Sequence, residues 1–399
     1  SGDTNNAMST SSGVAVTVNT RPDPSLDPNV RAIVNAQVTA AQRFAQAQID
    51  NITGRLDRLH DDEDPDPVTM GLGFGGPGDI PPRTSAFEDP ARSDAYRAFA
   101  NNSSAQRGIN SAFPQQPRSS GKKSDVPFHI WMGGSVSFGT TQQFGIIDNK
   151  FTTAGVTVGV DTKVFEGLKA GVAVGFGTDQ TKIGWDGTKT QAHNTNIAFY
   201  ASYKLMPSTF IDVIAGYGRG SIDSLRSATA GGVFVQGNRN ANQLFGSLAL
   251  VRDERWGALK LSPYVRLDAV RIGLDPYTEV GSPIWALSFQ SLSTQTLSGV
   301  VGVRSVYDIP MTWGTLSLLG RLEYRARFSG SYSQNLSYAD LIGGQVYTIT
   351  DQALSNNQLM AALGLRATAD NISFDLEYQL TAADKTRANT FRGAVRLGF

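Results

Sequence analysis

From Pro127 onward, apolar and polar residues alternate one for one, segment after segment. Nothing else in the sequence constrains the fold as strongly, because only a β-strand puts residues i, i+2 and i+4 on one face. Ile372, Phe374, Leu376, Tyr378 and Leu380 share one parity, and Ser373, Asp375, Glu377 and Gln379 take the other. Near the C-terminus Phe391, Val395, Leu397 and Phe399 oppose Arg392, Ala394, Arg396 and Gly398. Around residue 320, Leu316, Leu318, Leu322 and Tyr324 oppose Arg321, Glu323, Arg325 and Arg327. Nine further sets upstream, from Phe128/Ile130/Met132 to Leu359/Ala361/Leu363/Leu365, bring the expected number of strands to twelve.

A water-soluble sandwich alternates too, so the choice of core face needs more. The apolar face is nearly unbroken, whereas the other carries charge, Gly, Ser and Thr. Short connections (165–167, 205–208, 253–256, 308–313, 369–371) alternate with mostly longer ones (139–150, 178–192, 219–240, 273–286, 329–357). Short turns at one rim and longer loops at the other are the habit of outer-membrane barrels. Trp256 and Trp313 beside short turns, and Trp285 beside a long one, suit two aromatic girdles. No apolar run is long enough for a transmembrane helix. In hydrocarbon, strands span only as a closed barrel, which satisfies every backbone N–H and C=O internally. The expected fold is therefore an all-β membrane protein, a twelve-stranded antiparallel transmembrane barrel covering 127–399. The twelfth strand brings the chain back to the first strand's side.

Upstream the grammar differs. Residues 1–25 read as an extended or disordered tail, a stub of a preceding passenger. Residues 26–60 read as one amphipathic α-helix. Asp27 is the N-cap and Pro28 takes the first helical position. Val30, Val34, Val38, Ala41, Ala45, Ile49, Ile52, Leu56 and Leu59 recur at spacings of three and four. The acidic run Asp61–Asp64 and Pro65 end it. Residues 61–126 hold eight of the 17 prolines and read as a linker, with a short helix expected near Asp94–Ala100. Any leader sequence is expected upstream of Ser1.

Composition excludes several functions. Lys plus Arg and Asp plus Glu are 35 each, a balance that does not suit nucleic-acid binding. With no cysteine, there is no disulfide, thiolate metal site or thiol nucleophile. Gly71–Gly76 fits G-x-G-x-x-G but lacks a preceding strand and runs into Pro77. The acidic run after His60 lacks the glycine and distal glutamate of a calcium loop. No metal or cofactor is expected. His193-Asn194-Thr195 offers a Thr where a barrel lipase would need Ser, so no catalytic residues are assigned.

By parity the charged residues turned inward are Asp161, Lys169, Lys204, Asp212, Arg266, Asp268, Arg304, Arg321, Glu323, Arg325, Arg327, Arg366, Asp375, Glu377, Arg392 and Arg396. They could form a basic-biased passage that holds a plug, or pair among themselves to keep a polar lumen soluble, and the sequence weighs these equally.

The order helix, twelve strands, chain end resembles the translocator domain of monomeric autotransporters, the type V secretion proteins of Gram-negative bacteria. Gly155, Gly159 and Asp161 in one strand and Gly171 and Gly175 in the next are similar to that family's second and third strands. Phe391, Val395, Leu397 and terminal Phe399 resemble the insertion signal shared by most outer-membrane barrels. The resemblance implies a bacterial outer-membrane location and export or anchoring of an N-terminal passenger at the cell surface. It also implies the outer-membrane barrel assembly machinery, periplasmic chaperones, outer-membrane lipid and the chain's own passenger as partners, and a monomer. Its plug would be the helix 26–60, with Val30, Val34, Ala41, Ile49, Ile52, Leu56 and Leu59 as its apolar stripe. Two features depart from the family. About 65 linker residues separate helix and barrel, and the stripe is more apolar than a hydrated lumen needs, as if it docked on a passenger or another chain. The Asn-Asn step at which some members cleave themselves is absent from the helix, which has Asp50-Asn51-Ile52, so no self-cleavage is expected. The runner-up reading is an outer-membrane channel or porin whose N-terminal third is a periplasmic or gating arm.

Overall fold

A computed structural model describes residues 21–60, 68–70, 128–143, 147–228, 232–369 and 372–397. All of them belong to one compact unit. The tail at 1–20, the expected short helix near 94 and Phe399 lie outside the described residues.

The barrel strands, numbered in chain order, are β1 (Phe128–Gln143), β2 (Ile147–Phe165), β3 (Leu168–Ile183), β4 (Lys189–Met206), β5 (Thr209–Ala228) and β6 (Val233–Arg252). They continue as β7 (Leu259–Leu274), β8 (Leu292–Met311), β9 (Gly314–Arg327), β10 (Asn357–Ala369), β11 (Ile372–Ala383) and β12 (Thr386–Leu397). Each pairs antiparallel with its neighbours in sequence. β12 returns to β1, with Phe391 opposite Val136 and Thr386 opposite Thr141, which closes the twelve-stranded barrel. Where these two strands diverge, Val68–Met70 from the expected linker pairs with both.

The outward parity is apolar and exposed: Phe199, Leu248, Val301, Leu322, Leu363 and Leu376 all lie on it. Among the described residues no helix is long and apolar enough to cross a membrane. The inward parity is polar and buried, as at Asp161, Asp212, Arg266, Asp268 and Glu323. This is an inside-out protein with respect to water, as hydrocarbon around the barrel requires.

The two rims differ, for a reason other than the one the sequence pattern suggested. At one rim β2–β3 and β4–β5 join through two-residue turns, where Gly167 (φ 85°) and Ser208 (φ 62°) take the left-handed conformation. At the other rim, three of the expected long connections are mostly strand. β1–β2, β3–β4 and β5–β6 run on as paired ribbons to Gln143/Ile147, Ile183/Lys189 and Ala228/Val233. Strands of up to 20 residues exceed the roughly 9–11 that span a membrane, so they project beyond it. Two connections remain long, β7–β8 and β9–β10. They fold into a second, four-stranded sheet of Tyr277–Thr278, Leu287–Phe289, Ser331–Tyr338 and Tyr347–Gln352. Trp285 packs inside this cap, edge-on to Tyr338, and is not a girdle residue as expected. Trp256 and Trp313 are exposed beside short turns.

The helix α1 spans Pro28–Leu59. The Asp27 carboxylate accepts hydrogen bonds from the Asn29 and Val30 N–H groups at 2.8 and 3.4 Å, capping it. At 32 residues it is roughly 48 Å long, and it runs inside the barrel with its N-terminus under the cap and its C-terminus at the short-turn rim.

Candidate functional site

α1 and the lumen wall meet in an extensive buried interface. It has three zones along the helix. In the first, Val30, Val34, Val38 and Ala41 pack with Leu287, Phe289, Leu336 and Ile349 of the cap, and Tyr277 stacks on Phe289 at 4.7 Å. This accounts for the excess of apolar residues in the stripe: the chain's own cap covers it.

In the second zone Ala45, Ile49, Ile52, Leu56 and Leu59 lie against Trp131, Ala173, Ala198, Tyr200, Ile214 and Phe245 of β1 and β3–β6. Glycines in the wall make room. A Cβ on Gly175 would come within 2.1 Å of the Gln48 side chain, and one on Gly177 within 2.8 Å of Phe44. Gly159, Gly171, Gly175 and Gly177 thus have a steric reason, with Trp131, Tyr200 or the helix pressing on them, whereas a Cβ on Gly155 would meet the Phe176 carbonyl of the neighbouring strand at 3.2 Å.

The third zone is ionic. The Arg55 guanidinium donates to both oxygens of Asp161 at 2.8 Å, and the Tyr200 hydroxyl donates to the same carboxylate at 2.8 Å. Arg43 forms a second bidentate pair with Asp179 at 2.8 Å, lies over the Phe151 ring and donates to Thr153 and Thr181. Arg58 pairs with Asp375, Asp57 with Arg304, and Asp50 with Arg392 at 3.1 Å. Gln46 accepts from Arg325 at 2.7 Å. His60 stacks on Phe210 and its Nε2 lies 3.0 Å from the Asp212 carboxylate. Lys169 donates to the Leu59 carbonyl at 2.7 Å, a cation on the helix's negative end.

Other inward residues pair within the wall: Arg325 with Asp268 at 2.9 Å, Arg321 with Glu377 at 2.6 Å, Arg366 with Asp375 at 2.9 Å, and Arg266 with Asp268 at 3.1 Å. Tyr264 donates to Glu323. Arg327 turns to the Ser355 carbonyl and Gln358 at the long-loop rim. Lys204 is half-buried. Phe391 faces outward and is exposed; the side chains of Val395, Arg396 and Leu397 are outside the described residues. Parity did not supply the helix partners Arg43, Asp50, Arg55, Asp57 and Arg58, nor Asp179, which sits in a segment that reads as loop.

The helix leans on one wall. On the other side a crevice of about 260 Å³ opens toward the short-turn rim, lined by Arg58, Arg304, Arg321, Arg366 and Arg392 together with Asp50, Asp57, Asp375 and Glu377. Arg304, Arg321 and Arg392 each keep a buried guanidinium N–H without a protein acceptor among the described residues, so the crevice is strongly polar. At the opposite end the chain leading into the helix is pinned. Arg21 donates twice to Asp340 at 2.6 Å, and the Tyr338 hydroxyl donates to the Pro22 carbonyl at 2.8 Å. The hydrogen bond raises the Arg21 pKa and holds the Asp340 carboxyl below the usual carboxylate range.

A closed twelve-stranded barrel threaded by a helix narrows the family, and the sequence model of one family, the autotransporter β-domain, matches residues 130–379. The chain belongs to the autotransporter β-domain family. The same fold is seen in the translocator domain of NalP from Neisseria meningitidis, at 16% identity and a TM-score of 0.56, covering 78% of this chain and 99% of that one. The β-domain of the Bordetella autotransporter BrkA is similar at 15% identity and a TM-score of 0.50, covering 68% and 99%. No curated protein matches the chain. Membership implies an outer-membrane barrel of the transport type and does not favour the porin alternative.

Proposed function

We propose that this autotransporter β-domain exports a passenger attached at its N-terminus and then anchors or releases it at the cell surface, with α1 as the plug left in the lumen. The observation that carries the reading is the threading of α1. Its C-terminus lies at the short-turn rim, assigned to the periplasm, and its N-terminus under the capped rim, assigned to the cell surface. A preceding passenger would therefore begin outside the cell. The lumen holds one helix about 10–12 Å across beside a polar crevice, so a passenger would cross largely extended. The domain division proposed is a passenger stub to 25, helix 26–60, linker 61–126 and barrel from 127. The barrel assembly machinery and periplasmic chaperones are proposed as its partners in biogenesis, the chain acts as a monomer, and it carries no catalytic step of its own.

The test is an epitope tag ahead of Ser1, behind a signal peptide, in Gram-negative cells. Protease added to intact cells should remove the tag and leave the barrel. A tag protected until the outer membrane is broken, with the barrel folded, overturns the reading.

A further inference from the structure

The plug helix ends among carboxylates. The His60 side chain is 1% exposed, and its Nε2 lies 3.0 and 3.1 Å from the two oxygens of Asp212 on β5. Its Nδ1 lies 3.7 Å from Asp253, in the turn between β6 and β7. Asp57 precedes His60 by three residues, a spacing that puts both on one face of the helix. Asp57, His60 and Asp212 each offer one ligand atom, and these atoms all lie within 4.8 Å of one another.

The three carboxylates are not equally served. Asp57 gives Oδ1 to Arg304, and Asp253 gives Oδ2 to Lys260 at 3.4 Å. Asp253 Oδ1 is buried without a hydrogen-bond partner. Among the described residues no Lys or Arg pairs with Asp212, although its side chain is only 4% exposed. Other inward acids have an arginine: Asp161 has Arg55, Asp268 has Arg325, Asp375 has Arg366 and Glu377 has Arg321. Lys169, the other cation at this end, is turned to the Leu59 carbonyl. A buried carboxylate needs a compensating cation, and around His60 the fixed cations are one short.

We propose that Asp57, His60 and Asp212 bind a divalent metal ion of the zinc type, which ties the last turn of the plug helix to β5. One imidazole, two carboxylates and a water make a tetrahedral donor set that zinc accepts at about 2.0–2.2 Å. Ligands so held stand about 3.0–3.5 Å apart, the spacing of His60 Nε2 and Asp212. Asp57 keeps Oδ2 for the ion while Arg304 holds Oδ1, and ligating carboxylates are commonly oriented in this way. Asp253 stands on the Nδ1 side of His60, the place of the acid in a carboxylate–histidine–zinc arrangement. Asp57 and His60 both line the crevice that opens at the short-turn rim, which supplies an entry path. The site does not depend on which rim faces the periplasm.

The test uses the full chain in mild detergent, stripped with EDTA and titrated with Zn2+ alone. One equivalent should bind and raise the unfolding temperature. Amide exchange in the last turns of Pro28–Leu59 should slow, with the strands unchanged. Co2+ in place of Zn2+ should give the visible absorption of a tetrahedral N/O site. H60Q and D212N should bind roughly 100-fold more weakly or worse, since even the loss of an outer-shell partner costs about 10–100-fold. Their barrels should still migrate as folded before boiling. Equal zinc affinity in the parent chain, H60Q and D212N overturns the site. A parent chain that binds no zinc and shows no Co2+ absorption overturns the metal, whatever the variants do. If its helix end then loosens as pH rises through the ordinary imidazole range, the missing cation is a proton on His60.

Discussion

Arg55 of the lumen helix and Asp161 of the barrel wall meet through two hydrogen bonds of 2.8 Å, with side chains 2% and 1% exposed. A buried pair of this kind contributes little net stability over an apolar pair of the same shape, yet breaking it from one side is costly. Its main effect is register: a helix shifted or rotated in the lumen would leave a carboxylate buried against Tyr200 and no cation.

Arg55→Ala should therefore loosen the helix by about 3–5 kcal/mol. Hydrogen exchange across Pro28–Leu59 should speed up while the β-strands stay protected. Arg55→Ala combined with Asp161→Ala should recover more than half of the loss, because the double variant buries no unpaired charge. Additive losses in this cycle would show that the two residues do not act as a pair.

Much of the barrel was legible because the membrane enforces a period of two over the width of the hydrocarbon. Where strands project past it, both faces turn polar and the signal fades. Asp179 and Thr181, which hold Arg43, lie in such a stretch and read as loop. The cap was hidden for a related reason. Ser331–Tyr338 and Tyr347–Gln352 are short and rich in Ser, Thr and Gln, and their apolar positions make sense only against Val30 and Val34, some 300 residues earlier. Parity turned Asp161, Asp375 and Arg304 inward, but which helix residue each meets depends on the rotation and depth of the helix. No periodicity in either segment records that.

Gly175 tests the steric side of the seat. Its missing side chain leaves room for Gln48, which in turn accepts a hydrogen bond from Thr157 at 3.0 Å. Gly175→Leu should overpack this contact at a cost of about 1–3 kcal/mol. The barrel should remain resistant to detergent without heating, since residue 175 points into the lumen and not at the lipid. A helix that exchanges no faster than in the parent chain would show that the wall yields instead.

The cap makes a different demand. Leu336 is fully buried among the cap's apolar side chains and the first turns of the helix. Leu336→Ala should destabilise the cap by about 2–5 kcal/mol. In planar bilayers the variant should pass more current than the parent chain, because the collar around Val30 and Val34 closes the capped end of the lumen. Unchanged conductance, with faster exchange in Ser331–Tyr338, would place the ion barrier lower, beside Arg55.

The tether at the capped end gives a pH dependence of known sign. Asp340 is paired with Arg21, and its carboxyl titrates below the ordinary range. A carboxylate depressed by folding contributes in full above its unfolded value, near 4, and loses that contribution as pH falls through the folded value. Exchange of the amides following Arg21 should therefore be flat between pH 7 and pH 5, once corrected for intrinsic rates, and rise only at more acid pH. Asp340→Asn should show the raised exchange at neutral pH and no acid step. Both groups are open to solvent, so high salt should weaken the tether in the parent chain. A parent chain that already releases this segment at pH 6 would show that the Asp340 carboxylate is not what holds it.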